Sequence, residues 1–341
     1  DPNWKEVEEN KEKPKTHSSS SSEGKTSFTF LAGWLIALLV GAQMTVDSAV
    51  EIAKALGVSE IVIGLSVVAV GTSLPELAGT VSAAKMGHKE IAVGNVIGSN
   101  IANLLLVTFA AGITAELKAV KVSNFDLSFH AGTHILFLFI FLLFFMDRYI
   151  GLIFIFLFLI YLYKSFRNSD SDNLEEINLE KDFFSKLSFN KPLYYGLPIS
   201  ILSIAITLYG ADITVDSAIR ISKILNISDS FIGLTIIALG TSLPEVATSI
   251  TAARRGKSKI IIGNIIGSNI YNLLLILGFS SLFETFSYNK TVLSKDVIFL
   301  TFSILFFTFI IFNKIKIGKK VSILCITIYL IYLINLYLSN F

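Results

Sequence analysis

Residues 64–108 read GLSVVAVGTSLPELAGTVSAAKMGHKEIAVGNVIGSNIANLLLVT, and residues 233–277 read GLTIIALGTSLPEVATSITAARRGKSKIIIGNIIGSNIYNLLLIL. The two stretches are displaced by 169 residues, and 25 of the 45 aligned positions are identical. The identical set holds everything with chemistry in it: Gly71 to Glu76 against Gly240 to Glu245, and Gly94, Asn95, Gly98, Ser99, Asn100 and Asn103 against Gly263, Asn264, Gly267, Ser268, Asn269 and Asn272. Upstream, GAQMTVDSA at 41–49 is matched by GADITVDSA at 210–218. The chain is an internal duplication.

Composition says what medium the repeats live in. Of 341 residues 53% are apolar and 16% charged, with 28 Phe, which is membrane-protein composition. A bilayer-crossing helix needs roughly 17 to 25 apolar residues. Ten segments qualify, at about 28–55, 60–84, 90–114, 126–146, 148–166, 194–224, 229–253, 259–283, 296–313 and 321–340. The expected fold is therefore an all-α membrane protein of ten transmembrane helices. Five per half makes the second copy enter from the opposite side, giving two inverted five-helix repeats of the kind found in many secondary transporters. The expected organisation is a disordered tail at 1–26, a first repeat at 27–166, a polar linker at 167–193 and a second repeat at 194–341.

The tail has mixed charge and a Ser18 to Ser22 run, so it cannot pack a core. It begins with Asp1 instead of Met, which reads as a processed or truncated start, and it lacks a signal-peptide pattern. The acidic stretch between the halves contains no Gly, which favours a solvated linker over a calcium-binding loop. Lys and Arg total 16 in the loops of one side and 7 in those of the other. Positive residues mark the cytoplasm, so the N-terminus is expected outside a bacterial inner or plasma membrane.

The net charge of +2 and the absence of a basic, aromatic-interleaved patch exclude nucleic acid as a partner, and no obligate protein partner is evident. The lipid bilayer is the expected surrounding. The single cysteine, Cys325, precludes a disulfide or a Cys-based metal site and reads as a core or lipid-facing residue. Asp47, Asp212 and Asp216 read as interface or helix-packing residues, with a cation-attracting vestibule as the other reading.

Glu76 lies deep in an apolar segment with no other charge before Lys85, and Glu245 repeats the setting. A carboxylate near mid-bilayer costs at least a few kcal/mol, so it must face a partner or a water-filled cavity. Two such carboxylates without a basic partner demand a cation or a proton. Pro75 and Pro244 lack an N–H and clash with the carbonyl four residues back, which kinks the helix and frees nearby carbonyls, those of Ala69, Thr72, Ala238 and Thr241 included. Ser73 and Thr72 sit three and four residues before Glu76, on one helix face. The next helix adds Ser99 and Asn103, with Ser268 and Asn272 as counterparts, while Gly94 and Gly98 give spacing that lets helices approach closely. Oxygen-only ligands suit hard cations such as Ca²⁺ and Na⁺.

GTSLPE followed by GN-x-IGSN-I-x-N, in both halves of such a chain, resembles the cation/calcium exchanger superfamily, most closely its prokaryotic sodium/calcium exchanger-like members. The resemblance implies an antiporter that exchanges Ca²⁺ for Na⁺ by alternating access, with no cofactor. It further implies that Glu76 and Glu245, with the Thr72 and Thr241 carbonyls, hold Ca²⁺. Ser73, Ser99, Ser242 and Ser268, with the Ala69 and Ala238 carbonyls, complete Na⁺ sites, and Asn103 and Asn272 line the centre. Calcium/proton antiport is the alternative. Many family members carry Asp at one of the two central Asn positions, and in the potassium-dependent branch that Asp is linked to K⁺ transport; here both are Asn.

Two other classes fare worse. An intramembrane acid protease-like dyad does not need the surrounding Ser, Thr and Asn oxygens, and no His lies in the segments bearing the Glu pair, so enzymatic activity is not expected. Channels place pores on symmetry axes between subunits, whereas this chain carries both half-sites itself. His130 and His134 read as interfacial or packing residues.

Overall fold

The computed structural model describes residues 33, 36, 69–120, 122–143, 145–169, 192–254, 256, 258–286 and 290–340. The N-terminal tail, nearly all of the first apolar segment with Asp47, and the linker after residue 169 lie outside the described residues. Because a lipid environment offers backbone groups no hydrogen-bond partner, an apolar chain closes its bonds internally as helix. Every named element among the described residues is a helix.

In chain order the elements are α1 (Ala69–Thr72), α2 (Leu74–Lys85), α3 (Lys89–Ala102), a π-helical turn (Asn103–Val107), α4 (Thr108–Thr114), α5 (Asn124–Leu143), α6 (Arg148–Ser169) and α7 (Pro192–Leu225). There follow α8 (Asp229–Ile232), a π turn (Gly233–Ile237), α9 (Ala238–Thr241), α10 (Leu243–Arg254), α11 (Ser258–Ile270), a π turn (Tyr271–Leu277), α12 (Gly278–Ser280), α13 (Lys290–Phe312) and α14 (Lys319–Asn340). Among the described residues six helices are long and apolar enough to span a membrane, and a seventh span arises if the bent pair Asp229–Thr241 and Leu243–Arg254 counts as one. The 34 residues of α7 extend about 51 Å at 1.5 Å per residue.

Burial sorts these helices into centre and rim. The spans Lys89–Thr114 and Ile261–Ser280 are each 83% buried, whereas Arg148–Ser165 and Lys319–Ser339 are 22% buried. The rim helices turn Phe156, Leu159, Tyr163, Ile331 and Leu338 outward, an apolar surface that suits lipid. The inner faces carry Phe137, Phe141, Phe154 and Phe307 into one core cluster, which also holds Cys325.

Contacts come in reciprocal pairs, some made between the halves and some repeated inside each. Leu117 bridges Ile317, and Met146 bridges Phe286; displaced by 169 and 171 residues, each bridge is the image of the other. On α5 and α6 the Phe129 ring stacks on Tyr161 at 5.0 Å, and on α13 and α14 Phe299 stacks on Tyr332 at 4.4 Å. Tyr161 also bonds Asp126, and Tyr332 donates to Asp296 at 2.9 Å. A Cβ added to Gly112 in α4 would collide with Ser322 Oγ of α14, and one added to Gly151 in α6 would collide with Ser281 Oγ, just after α12.

The close approach expected of Gly94 and Gly98 is made against the opposite half. A Cβ on Gly98 would lie 2.6 Å from the Leu234 carbonyl oxygen, and one on Gly94 would lie 3.1 Å from the Leu234 nitrogen. The repeat counterpart of Leu234, Leu65, lies outside the described residues.

Candidate ion-binding site

Both GTSLPE stretches break their helix at the serine. Ser73 has φ −92° and ψ 9°, and Ser242 has φ −82° and ψ 3°, the bridge region that separates helical turns. The cause is the proline two residues on, which cannot donate and crowds the carbonyl four back. The break bends the second-half pair by 41°.

The break decides where the hydroxyls go. Thr72, Ser73 and Glu76 do not share one continuous helix face. Ser73 Oγ instead donates to Glu245 Oε1 at 3.0 Å, and Ser242 Oγ donates to Glu76 Oε1 at 3.2 Å. Each carboxylate is thus held by the serine of the other half. Both glutamates are buried, as are Ser73, Ser242, Thr72 and Thr241. The second oxygen of each, Glu76 Oε2 and Glu245 Oε2, has no hydrogen-bond partner in the protein. No Lys or Arg is ion-paired to either among the described residues. A buried carboxylate so placed is costly until a cation or proton joins it.

The helices that bear this pair pack against elements rich in buried oxygen-bearing side chains. Thr241 Oγ1 lies 3.5 Å from Ser99 Oγ and 3.4 Å from Asn95 Oδ1, and donates to the Ile237 carbonyl at 3.0 Å. Ser268 Oγ donates to Asn264 Oδ1 at 3.5 Å. Asn103 and Asn272 are buried, and neither the oxygen nor the nitrogen of either amide has a protein partner. Asn103 opens a π turn and Asn272 is the second residue of one; the extra residue in such a turn re-aims the side chains that follow, and π turns recur at functional sites. The Ala238 carbonyl accepts from the Ser242 N–H at 3.1 Å and from Thr241 Oγ1 at 3.4 Å, so a cation there would displace the hydroxyl. Ala69 opens α1, the short helix before the break.

Asn95 is the lining residue that the sequence reading assigned no role. Its Nδ2 donates to the Glu76 carbonyl at 3.3 Å and to Thr80 Oγ1 at 2.9 Å, tying α3 to the start of α2. The available signal was an amide repeated at Asn264 inside an apolar helix. The two amides differ in state: Asn264 Nδ2 and Ser249 Oγ, the counterparts of Asn95 Nδ2 and Thr80 Oγ1, have no protein partner. Asp216 accepts from Arg220 Nε at 2.9 Å on an exposed turn of α7, away from this lining, and Asp212 is also exposed. His130 and His134 are wholly buried instead of interfacial.

Comparison with known proteins gives the family. The family model described as "Sodium/calcium exchanger protein" matches residues 26–167 and 195–338. Sodium/calcium exchanger MaX1 of Methanosarcina acetivorans is 35% identical over 300 residues, covering 76% of this chain and 84% of that protein. Putative antiporter CaxA of Alkalimonas amylolytica is 34% identical over 256 residues, 73% of this chain and 78% of its own length. The solved structure of the sodium-calcium exchanger NCX_Mj soaked with 2.5 mM Na⁺ and 10 mM Sr²⁺ superposes with a TM-score of 0.64 at 30% identity, covering 90% of this chain and 98% of that one. With both duplicated halves inside the matched range, the chain belongs to the sodium/calcium exchanger family.

Proposed function

We propose that this chain is a secondary active antiporter that exchanges Ca²⁺ for Na⁺ at one shared site centred on Glu76 and Glu245. The observation that carries the reading is the reciprocal arrangement of the two carboxylates. Each is buried, each is anchored through one oxygen by the opposite serine, and each leaves its other oxygen without a protein partner. Hydroxyls, amides and carboxylates are the ligands hard cations prefer. Ser99, Ser268, Thr72, Thr241, Asn103 and Asn272, with the Ala69 and Ala238 carbonyls, complete the ligand set in this reading.

Coupling follows from charge. The site holds two formal negative charges in a medium of low dielectric, so its bare form is disfavoured and does not readily reorient. Ca²⁺ or Na⁺ must be present for the site to change sides. Ten helices in two inverted repeats supply the two sides, and the paired bridges, Asp–Tyr bonds and Gly–Ser contacts support that layout. The loop charges support an N-terminus outside. MaX1 and NCX_Mj, whose names state sodium/calcium exchange, support Na⁺ as the counter-ion.

The test is Ca²⁺ flux in sealed vesicles containing the purified protein, driven either by a Na⁺ gradient or by a pH gradient alone. Na⁺-driven flux that Glu76→Gln and Glu245→Gln abolish is the expected result. Flux that follows only the pH gradient would make the proton the counter-ion.

A further inference from the structure

Two imidazoles stand one turn apart on α5. His130 and His134 are 0% and 1% exposed, inside a helix of membrane-spanning length. The second half provides an internal control for what packing requires there. Asp126, Phe129, Thr133 and Phe137 of α5 correspond, at a displacement of 170, to Asp296, Phe299, Ser303 and Phe307 of α13. Both aspartates bond a tyrosine, both Phe129 and Phe299 stack on that tyrosine, and both hydroxyls bond the carbonyl four residues back at 2.9 Å. In this register His130 and His134 fall on Leu300 and Ile304, each 1% exposed. Aliphatic side chains therefore serve the equivalent place. Burying His130, whose ring nitrogens have no protein partner, carries a polar desolvation cost that packing does not explain.

The ring nitrogens show what the imidazoles are set up to do. His134 Nδ1 lies 2.7 Å from the His130 carbonyl. A carbonyl only accepts, so Nδ1 carries the proton and Nε2 presents a lone pair. That lone pair faces Asn100 Nδ2 at 3.3 Å. A backbone carbonyl fixing the tautomer of one ring nitrogen is the usual support behind a metal-ligating histidine. Neither nitrogen of His130 has a protein partner, and neither does Asn100 Oδ1. The ring centroids are 4.9 Å apart. Two imidazoles bound tetrahedrally to one ion, with metal–nitrogen distances of about 2.0–2.1 Å, place their centroids about 5 Å apart. The Asp126–Tyr161 bond has its image in Asp296–Tyr332, so Asp126 belongs to that clasp. Among the described residues no third His, Cys, Asp or Glu joins the pair.

We propose that His130, His134 and Asn100 form a second cation site, suited to a nitrogen-preferring divalent transition metal such as Co²⁺ or Zn²⁺ and separate from the oxygen-lined Glu pair. His134 Nε2 and one nitrogen of His130 supply two donors. A half-turn of the Asn100 amide, which gives up its Nδ2 contact to His134 Nε2, supplies Oδ1 as a third, and a water that enters with the ion completes a tetrahedron. Nitrogen ligands select borderline transition metals, whereas carboxylate and hydroxyl ligands favour Ca²⁺ and Na⁺. The assignment is independent of which ions are exchanged.

Co²⁺ is the probe, because its visible absorption reports coordination directly. Purified full-length protein titrated with Co²⁺ should develop the intense band of a four-coordinate, imidazole-ligated ion. The band should persist in Glu76→Gln/Glu245→Gln. It should vanish in His130→Leu/His134→Ile, which copies the side chains of the other half and should leave Na⁺-driven Ca²⁺ flux intact. Asn100→Leu should weaken Co²⁺ binding by about 10–100-fold. X-ray absorption at the cobalt edge on the unmodified protein gives a second readout free of mutation: imidazole scattering supports the site, and an oxygen-only shell overturns it. Equal bands with and without the two histidines, or no band at all, would overturn it as well.

Discussion

Replacing Ser73 by alanine removes a hydroxyl that donates at 3.0 Å to Glu245, 172 positions away, and not to Glu76 three residues on. A double-mutant cycle distinguishes these partners. A hydrogen bond to a charged group contributes about 1.5–3 kcal/mol and a neutral one about 1 kcal/mol. Coupling between Ser73→Ala and Glu245→Leu should therefore be about 1–3 kcal/mol, because leucine offers no acceptor. Ser73→Ala and Glu76→Leu share no direct bond, so their coupling should be clearly smaller, carried only indirectly through Glu245. The mirror cycle pairs Ser242→Ala with Glu76→Leu, across the 3.2 Å bond. The assay is equilibrium unfolding of the purified protein in buffer free of Na⁺ and Ca²⁺, since a bound ion would add its own stabilisation. A coupling larger with Glu76 than with Glu245 would mean that the hydroxyl follows its own helix, and would refute the crossed arrangement.

Three further outcomes are expected. Gly98→Ala drives a Cβ to 2.6 Å from the Leu234 carbonyl oxygen and should cost about 1–3 kcal/mol, whereas Gly79→Ala meets nothing closer than 3.7 Å and should be neutral or stabilising by up to about 1 kcal/mol; the same unfolding assay compares them. If three Na⁺ are exchanged per Ca²⁺, each cycle moves one net charge, worth about 2.3 kcal/mol per 100 mV, so flux in sealed vesicles should respond to an imposed voltage, and voltage-independent flux would mean an electroneutral cycle. Because both central positions are Asn103 and Asn272, with no third carboxylate to balance a K⁺ ion, Na⁺-driven Ca²⁺ flux should persist when all K⁺ is replaced by an inert cation; a strict K⁺ requirement would mean that another acid reaches the centre.

The residues that the structure brings together were legible in part because the duplication marks them twice. Identity between the halves singled out Glu76, Glu245 and their serines, and the prolines located the helix breaks. Which serine meets which glutamate was not legible. The rule that residues three and four apart share a face assumes an unbroken helix, and the break at Ser73 voids it. The π turns at Asn103–Val107 and Tyr271–Leu277 were equally hidden, since no local residue type announces an extra residue in a turn. The equivalence of α5 and α13 rests on a few pairs such as Asp126 and Asp296 amid apolar residues that lipid and core accept interchangeably. Only their shared tyrosine contacts expose it, and with it the oddity of His130 and His134.

The Gly112–Ser322 and Gly151–Ser281 contacts bear on how the chain came to be one chain. The two contacts are images of each other, yet the residue that fills and the residue that yields have changed sides: the first half brings glycine to both, the second half serine to both. Two copies of the first half, assembled as a homodimer, would set glycine against glycine and leave a gap at each seam. Two copies of the second half would set serine against serine where no room exists for a Cβ. The gap in one case and the clash in the other disfavour self-association of either fragment relative to the Gly–Ser pairing. Co-expressed as separate polypeptides they should pair with each other in preference to themselves, so the link between them fixes a pairing that the seam contacts already favour.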